Sequence, residues 1–112
     1  MSWEIEYIPQ AVEDFDRLDG SQKKLVIKAL NKVSQNPLPD YEGGYGKPLG
    51  NTNQAKLTGY LKIKLKASGI RVVYKLQRID SKMVIIIIGM RADNIVYEEA
   101  AKRIDVLPDE EL

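Results

Sequence analysis

A lysine-rich segment in the middle of the chain carries the side chains best suited to chemistry. Within residues 59–76, GYLKIKLKASGIRVVYKL, lysines alternate with aliphatic residues, a short ASG turn follows, and an arginine comes soon after it. Fixed cations arranged in this way can hold a phosphate group and stabilise negative charge that develops on its oxygen atoms. The segment therefore predicts a site for an anionic ligand, whose geometry depends on how the two halves pair.

The two halves are expected to pair as an antiparallel hairpin, because each alternates in the manner of a half-buried strand. Matching their apolar faces puts Leu65 opposite Ile70, and Lys64 then falls directly opposite Arg71. Like charges in facing positions destabilise a sheet. Either these side chains extend into water or share an acid from elsewhere, or Lys62 joins Lys64 and Arg71 in clamping an anionic ligand. The sequence leaves both interpretations open.

Two residues near the end of the chain, Arg91 and Tyr97, are further candidates for the site. Arg91 follows the apolar run at 83–90, and side chains at strand ends often reach a cleft. Tyr97 comes within two helical turns of it. Each also has a purely structural interpretation: Arg91 could pair with Asp93 or Glu98, and Tyr97 could be a core aromatic residue of the last helix.

The chain contains neither cysteine nor histidine, which limits the chemistry available to it. Without cysteine there is no disulfide, thiolate nucleophile or thiolate metal ligand. Without histidine the most common metal ligand and the usual acid/base at neutral pH are absent. Catalysis must then use carboxylates, lysine, arginine, tyrosine or hydroxyl groups, and we expect neither a metal nor a cofactor.

Charge is distributed unevenly along the chain, although the net charge is only +1. Residues 56–82 hold eight lysines and arginines against one acid, whereas the last eight residues, DVLPDEEL, hold four acids and no base. Such asymmetry suggests a polyanionic partner. The peripheral cations expected to contact that partner are Lys56, Lys66 and Lys75.

The elements that must position these residues are predicted from periodicity and turn signals. They give an α+β fold of order β-α-α-β-β-β-α, in which a small antiparallel sheet of about four strands is packed by an N-terminal helical hairpin and a C-terminal helix. The predicted elements are a strand around Trp3, Ile5 and Tyr7, a helix from Pro9 ended by Gly20, a helix capped by Ser21 and stopped at Asn36, strands at about 57–66, 70–79 and 82–90, and a helix from Asp93 or Asn94 to Arg103.

Three details of this fold bear on the site. The apolar stripe of the second helix is either Leu25 with Ala29 or Val26 with Leu30, and residues 83–88 are expected to form a central strand covered on both faces. One domain spans residues 1–112, with an acidic tail at 105–112 that we expect to be solvated. The longest apolar run is too short for a bilayer and no signal peptide is evident, so we expect a cytoplasmic protein.

Taken together, these residues resemble the RelE-type toxins of the RelE/ParE superfamily. The similarity is carried by K-I-K-L-K-x-S-G-x-R-x-V-Y, beginning at Lys62, and by G-x-R-x-x-x-x-V-Y-x-x-A-x-K-R, beginning at Gly89. The YoeB-like branch is associated with a Glu and a His next to the terminal Tyr, whereas this chain has Val96 there and no His. The loop at 40–58 is longer than is usual in the family. The functional positions of these toxins fall on Lys62, Lys64, Arg71, Arg91 and Tyr97.

The resemblance implies a ribosome-dependent messenger-RNA endoribonuclease that is paired with a RelB-like antitoxin and acts without a metal. It implies attack by a ribose 2′-hydroxyl, with Lys64 as the base because neighbouring cations favour its neutral amine, and Lys62 and Arg71 as the phosphate clamp. Arg91 would balance charge on the leaving oxygen or protonate it, with the electrostatic role favoured because a guanidinium is a poor acid. Tyr97 would stack on or orient a base, and the rival role for it is direct acid/base catalysis. The alternatives are a ParE-like inhibitor of DNA gyrase and a non-catalytic protein that binds RNA or the ribosome.

Overall fold

The elements follow the predicted order, with additional short strands between the helical hairpin and the lysine-rich hairpin. The computed structural model describes residues 2–52, 55–90 and 92–106, and within these ranges no helix combines the length and apolar character needed to cross a bilayer. The elements are β1 Glu4–Tyr7, α1 Pro9–Asp16, α2 Gly20–Val33, a 3₁₀ turn Asp40–Glu42, β2 Lys47–Pro48, β3 Asn51–Thr52, β4 Ala55–Lys56, β5 Leu61–Leu65, β6 Ile70–Gln77, β7 Lys82–Gly89 and α3 Asp93–Val106.

The main sheet has five strands in the order β1-β7-β6-β5-β2 and is mixed, whereas about four antiparallel strands were predicted. β1 runs parallel to β7 because the two helices carry the chain across the sheet between them, and the other neighbours are antiparallel. β2 has only two residues, too few for an alternating pattern to be visible in the sequence. β3 and β4 form a separate two-stranded ladder.

The register between β5 and β6 is the one expected from matching the apolar faces. Leu65 lies opposite Ile70 and Lys64 opposite Arg71. The neighbouring strand β7 is buried from Met83 to Ile88, which confirms that this strand is covered on both faces. The sequence pattern therefore predicted the register of this hairpin correctly, residue by residue. The same hairpin carries the candidate site.

Helices cover the two faces of the sheet by burying short apolar stripes. On α2 the buried residues are Val26, Leu30 and Val33, while Leu25 is 44% exposed, so the second of the two predicted stripes is the one observed. On α3 the buried residues are Val96, Tyr97 and Ala100. The last helix continues through Val106, so the predicted acidic tail begins inside it; residues 107–112 lie outside the described ranges.

The start of α2 differs from the prediction of a Ser21 cap. Asp19 is the cap: its carboxylate accepts the Gln22 N–H at 2.8 Å, and the Gln22 side-chain oxygen accepts the Asp19 N–H at 3.0 Å. This capping box satisfies two backbone donors at once, so it fixes the helix start earlier than a lone serine would. Ser21 instead donates its hydroxyl to Asp19.

A buried ion pair completes the edge of β7 beyond the point where β1 ends. Asp14 on α1 accepts the Ile88 N–H at 3.0 Å, and Arg103 on α3 donates to the Ile86 carbonyl at 3.0 Å. The two side chains also meet each other through contacts of 2.6 and 3.0 Å. Although burial opposes its charge, hydrogen bonding to Asp14 raises the pKa of Arg103 above its ordinary value. This pair, here called the clasp, ties both helices to one strand.

The loop before β2 is packed too tightly to accept a side chain at Gly46. The buried Tyr74 hydroxyl donates to the Pro37 carbonyl at 2.7 Å, and a Cβ at Gly46 would overlap that hydroxyl. Gly46→Ala is therefore expected to lower the free energy of unfolding by about 1–3 kcal/mol, as overpacking typically does. Urea denaturation measures the loss.

Gly50→Ala is the matched control, because a Cβ at Gly50 meets nothing within 4 Å. It should leave stability unchanged or raise it by up to about 1 kcal/mol through the unfolded chain. Equal stability of the two variants would contradict the packing described for this loop.

Candidate active site

The candidate site is a cluster of cations on one face of the β5–β6 hairpin. Lys62 and Lys64 share that face because side chains alternate along a strand, and Arg71 joins them because it lies opposite Lys64. Lys64 is exposed, while Lys62 and Arg71 are half-buried. The hairpin thus brings together three of the five residues predicted to be catalytic.

The turn that joins the two strands holds Arg71 in place. Gly69 has a φ of +76°, a conformation that favours glycine, and its carbonyl accepts a hydrogen bond from the Arg71 guanidinium at 2.8 Å. Ser68 donates its hydroxyl to the Leu65 carbonyl at 3.1 Å. A shallow cavity of about 210 Å³ opens beside this turn, and Lys64, Lys66 and Arg71 contribute to its lining. It can hold a group as small as a phosphate.

Lys47 is a further cation on this face that the sequence did not indicate. It belongs to β2 and lies directly opposite Lys62, so its side chain shares the face of the cluster. Like charges therefore face each other twice across β5, once at Lys47 and Lys62 and once at Lys64 and Arg71. A strand of two residues carries no periodicity in the sequence that would assign Lys47 to a face.

Tyr97 contacts the cluster through the packing of α3 on the same face of the sheet. Its side chain is only 1% exposed, and the Lys62 ammonium nitrogen lies 5.5 Å from the centre of its ring. A cation over an aromatic face is attracted by the ring quadrupole, more strongly where water is excluded. Tyr97 is thus both a core aromatic residue and a neighbour of Lys62, and its stacking on an RNA base stays a prediction.

Gly89 explains how α3 comes close enough to place Tyr97. This residue lies opposite Arg71 on β7, and a Cβ built on it would be 2.9 Å from the Val96 Cγ2 atom. The absence of a side chain here lets the first turns of α3 pack directly on the strand end.

Gly89→Ala is expected to lower the free energy of unfolding by about 1–3 kcal/mol, because Val96 has to move to accommodate the new methyl group. Val96→Ala removes the clashing methyl groups, so the double variant should be less destabilised than the sum of the two single variants, by about 0.5–3 kcal/mol. Urea denaturation of the four proteins measures this coupling. Strict additivity would show that Gly89 and Val96 do not constrain each other.

The remaining predicted residues are placed less completely. Arg91 lies outside the described residues, and Lys56 lies in β4 with its side chain outside them. Lys66 is exposed at the hairpin turn. The Lys75 ammonium nitrogen lies 5.5 Å from the centre of the Tyr60 ring, whose burial raises the pKa of that phenol. Among the described residues, no group of three or more acids could hold a metal ion.

No protein-family model matches the chain. The chain is 31% identical over 106 residues to the mRNA interferase toxin RelE of Escherichia coli, covering 93% of this chain and 99% of that protein. It has the same identity and coverage with the mRNA interferase RelE of Shigella flexneri.

Solved structures agree with these relatives. A variant of the Escherichia coli toxin RelE in its free state has a TM-score of 0.72 at 25% identity, covering 93% of this chain and 99% of that one. RelE in the intact Escherichia coli RelBE toxin–antitoxin complex has the same fold, with a TM-score of 0.62 at 21% identity and coverage of 81% and 99%. The chain therefore belongs to the RelE family of toxins.

Proposed function

We propose that this protein is the toxin of a type II toxin–antitoxin pair and that it cleaves messenger RNA in the decoding site of the ribosome. The observation that carries the proposal is the grouping of Lys62, Lys64 and Arg71 on one sheet face, in a chain that belongs to the RelE family. Three cations in this arrangement suit a phosphodiester whose charge increases during reaction.

The reaction we propose is an in-line displacement within the RNA itself. The ribose 2′-oxygen attacks the adjacent phosphorus as its proton leaves, and the bond from phosphorus to the 5′-oxygen of the next nucleotide breaks. The products are a 2′,3′-cyclic phosphate and, once the leaving oxygen has taken up a proton, a 5′-hydroxyl. No metal is needed if protein groups accept the proton and stabilise the added negative charge.

Lys64 is assigned the proton transfer from the 2′-hydroxyl, because it is the exposed member of the cluster and lines the cavity beside the turn. Lys62 and Arg71 are assigned the non-bridging phosphate oxygens. The hydrogen bond from Arg71 to Gly69 fixes one end of its guanidinium, which reduces the reorganisation needed when phosphate binds. Arg91 is assigned the leaving oxygen by position in the family motif.

Tyr97 is assigned a contact with the base next to the scissile bond and, in addition, the positioning of Lys62. The second role follows from the 5.5 Å approach of the Lys62 ammonium to its ring. With its ring 1% exposed, contact with a base requires a shift of α3 when RNA binds.

The ribosome contributes what this sparse site lacks. Holding a messenger in an in-line geometry can supply roughly 7–11 kcal/mol of the barrier through orientation alone. The peripheral cations Lys56, Lys66 and Lys75 are assigned contacts with RNA or the ribosome, together with Lys47. Action on the ribosome implies that the protein works in the cytoplasm, which is part of the proposal.

A RelB-like antitoxin is the proposed protein partner. RelE neighbours of this chain are solved in complex with RelB from Escherichia coli, and a RelBE2 pair is known from Mycobacterium tuberculosis. A protein that cleaves cellular messengers needs such an inhibitor to be held inactive.

The test is to add the purified protein to a cell-free translation system and to map the 5′ ends of a reporter messenger. Cuts within codons that disappear when ribosomes are removed are the expected result. Intact messenger together with inhibited DNA gyrase would overturn the proposal in favour of a ParE-like activity. Binding to ribosomes without any cut would leave a non-catalytic protein.

A further inference from the structure

Two exposed aromatic residues in the loop before β2 take no part in the proposed mechanism. Tyr41 is 77% exposed and Tyr45 is 51% exposed. They lie in residues 37–46, here called the tyrosine loop, between α2 and the strand that carries Lys47. Both aromatic side chains are therefore accessible to a ligand.

The backbone of the tyrosine loop is held by a set of hydrogen bonds. The Tyr45 N–H donates to the Asn36 carbonyl at 3.0 Å, and the Asp40 N–H donates to the Gly46 carbonyl at 2.7 Å. The Gly46 N–H donates to the Leu38 carbonyl at 3.0 Å. The loop therefore presents its side chains from fixed backbone positions.

Side chains anchor the same loop to the body of the protein. Glu42 accepts two hydrogen bonds from the Arg78 guanidinium, at 3.0 and 2.7 Å. Gly46 packs against the buried Tyr74 hydroxyl, and the Asn36 amide donates to the Gly43 carbonyl at 3.2 Å. A platform organised in advance loses little conformational entropy when a ligand binds.

A cation lies beside the Tyr45 ring, and the strand that follows the loop carries another. The Lys32 ammonium nitrogen is 5.4 Å from the centre of the Tyr45 ring. Two residues beyond Tyr45 the chain enters β2, where Lys47 lies opposite Lys62. A ligand that uses this surface must offer flat faces for stacking and negative charge for the lysines, and RNA offers both.

We propose that the tyrosine loop is a stacking platform for unpaired bases of RNA, with Lys32 and Lys47 contacting the adjoining phosphates. This inference rests on the proposed function, since it assigns a further contact to the RNA-bound state. The bases can come from the messenger or from ribosomal RNA, and both have the same chemistry. The loop would then add binding energy without taking part in bond breaking.

The test compares the double variant Y41A/Y45A with Y41F/Y45F, which keeps both rings. Base stacking on an aromatic side chain corresponds to about 5- to 150-fold in affinity per base. In Y41A/Y45A we expect KM for ribosome-bound messenger to rise at least about fivefold, with kcat unchanged. Y41F/Y45F should retain the wild-type KM. Ile79→Ala, which removes a fully exposed apolar side chain in the β6–β7 turn, is the control.

Binding to ribosomes with and without messenger identifies the source of the base. A weaker affinity of Y41A/Y45A for empty ribosomes indicates ribosomal RNA, and a loss seen only with messenger bound indicates the messenger. An unchanged KM and unchanged ribosome binding would overturn the inference, as would an equal loss in Y41F/Y45F. Weaker binding of the antitoxin alone would also overturn it, since the loop would then contact protein.

The inference and the proposed function fail in different ways. If wild-type protein cuts no messenger, the proposed function is wrong. If wild-type protein cuts messenger and Y41A/Y45A does so with the same kcat and KM, only the stacking platform is wrong. Thermal unfolding of both double variants should match that of the wild type, because both side chains are exposed.

Discussion

Lys64→Ala is expected to lower kcat for messenger cleavage by about 10²- to 10⁴-fold, because a positioned proton acceptor normally contributes that much. Lys64 is exposed, lies opposite Arg71 and lines the cavity beside the hairpin turn, so its removal should leave the strand register intact. The expected change in KM is small, since Lys62, Arg71 and Lys47 still attract phosphate. Single-turnover cleavage of ribosome-bound messenger measures kcat separately from binding.

Two variants show whether the loss reflects proton transfer or only charge. Lys64→Arg keeps the positive charge but cannot accept a proton, so it should be nearly as slow as Lys64→Ala. Lys66→Ala removes an exposed lysine two residues further along and should change kcat by no more than a few-fold. A Lys64→Ala protein within tenfold of the wild type would remove Lys64 from the proposed role.

The largest effect on stability is expected from breaking the clasp between Asp14 and Arg103. The side chains are 8% and 13% exposed, and together they satisfy the Ile88 N–H and the Ile86 carbonyl. Asp14→Ala leaves Arg103 with the Ile86 carbonyl and a longer ion pair to Glu99 at 3.6 Å. Arg103→Ala leaves a buried Asp14 carboxylate whose remaining partner is the Ile88 N–H. Removing one member of a buried pair typically costs 3–5 kcal/mol, so we expect a loss of about 3–5 kcal/mol in the free energy of unfolding, the larger loss for Arg103→Ala. Urea denaturation measures it.

Lys102→Ala is the control for the clasp, since this neighbouring lysine of α3 is exposed. It should shift stability by less than about 0.5 kcal/mol. The double variant Asp14→Leu with Arg103→Met tests the cause: removing both charges should recover part of the loss seen when either is removed alone. Arg103→Ala with a stability near that of Lys102→Ala would show that the clasp contributes little.

Local pattern explains why the lysine-rich hairpin could be predicted from the sequence. Its two strands alternate over several residues and one face has to be buried, so a shift by one residue would expose every apolar side chain. That constraint fixes Lys64 opposite Arg71. The same argument covers residues 83–88, where six buried positions in a row require cover on both faces.

Long-range contacts explain what could not be predicted. Asp14 and Arg103 pair along the part of the β7 edge that extends beyond the end of β1. No sequence pattern near either residue indicates that this part of β7 lacks a neighbouring strand. Lys47 joins the site through a strand of two residues. Tyr97 is a residue type that suits both a core and an RNA contact, and only the packing of α3 shows its burial and its approach to Lys62.

The most direct test of the central proposal is the chemical form of the cut ends. Purified protein is added to ribosomes that hold a defined messenger in the decoding site, and the new ends of both fragments are analysed, with the same messenger free in solution as the control. The predicted result is ribosome-dependent cleavage that leaves a 2′,3′-cyclic phosphate upstream and a 5′-hydroxyl downstream. A 3′-hydroxyl with a 5′-phosphate, or a messenger that remains whole on the ribosome, would contradict it.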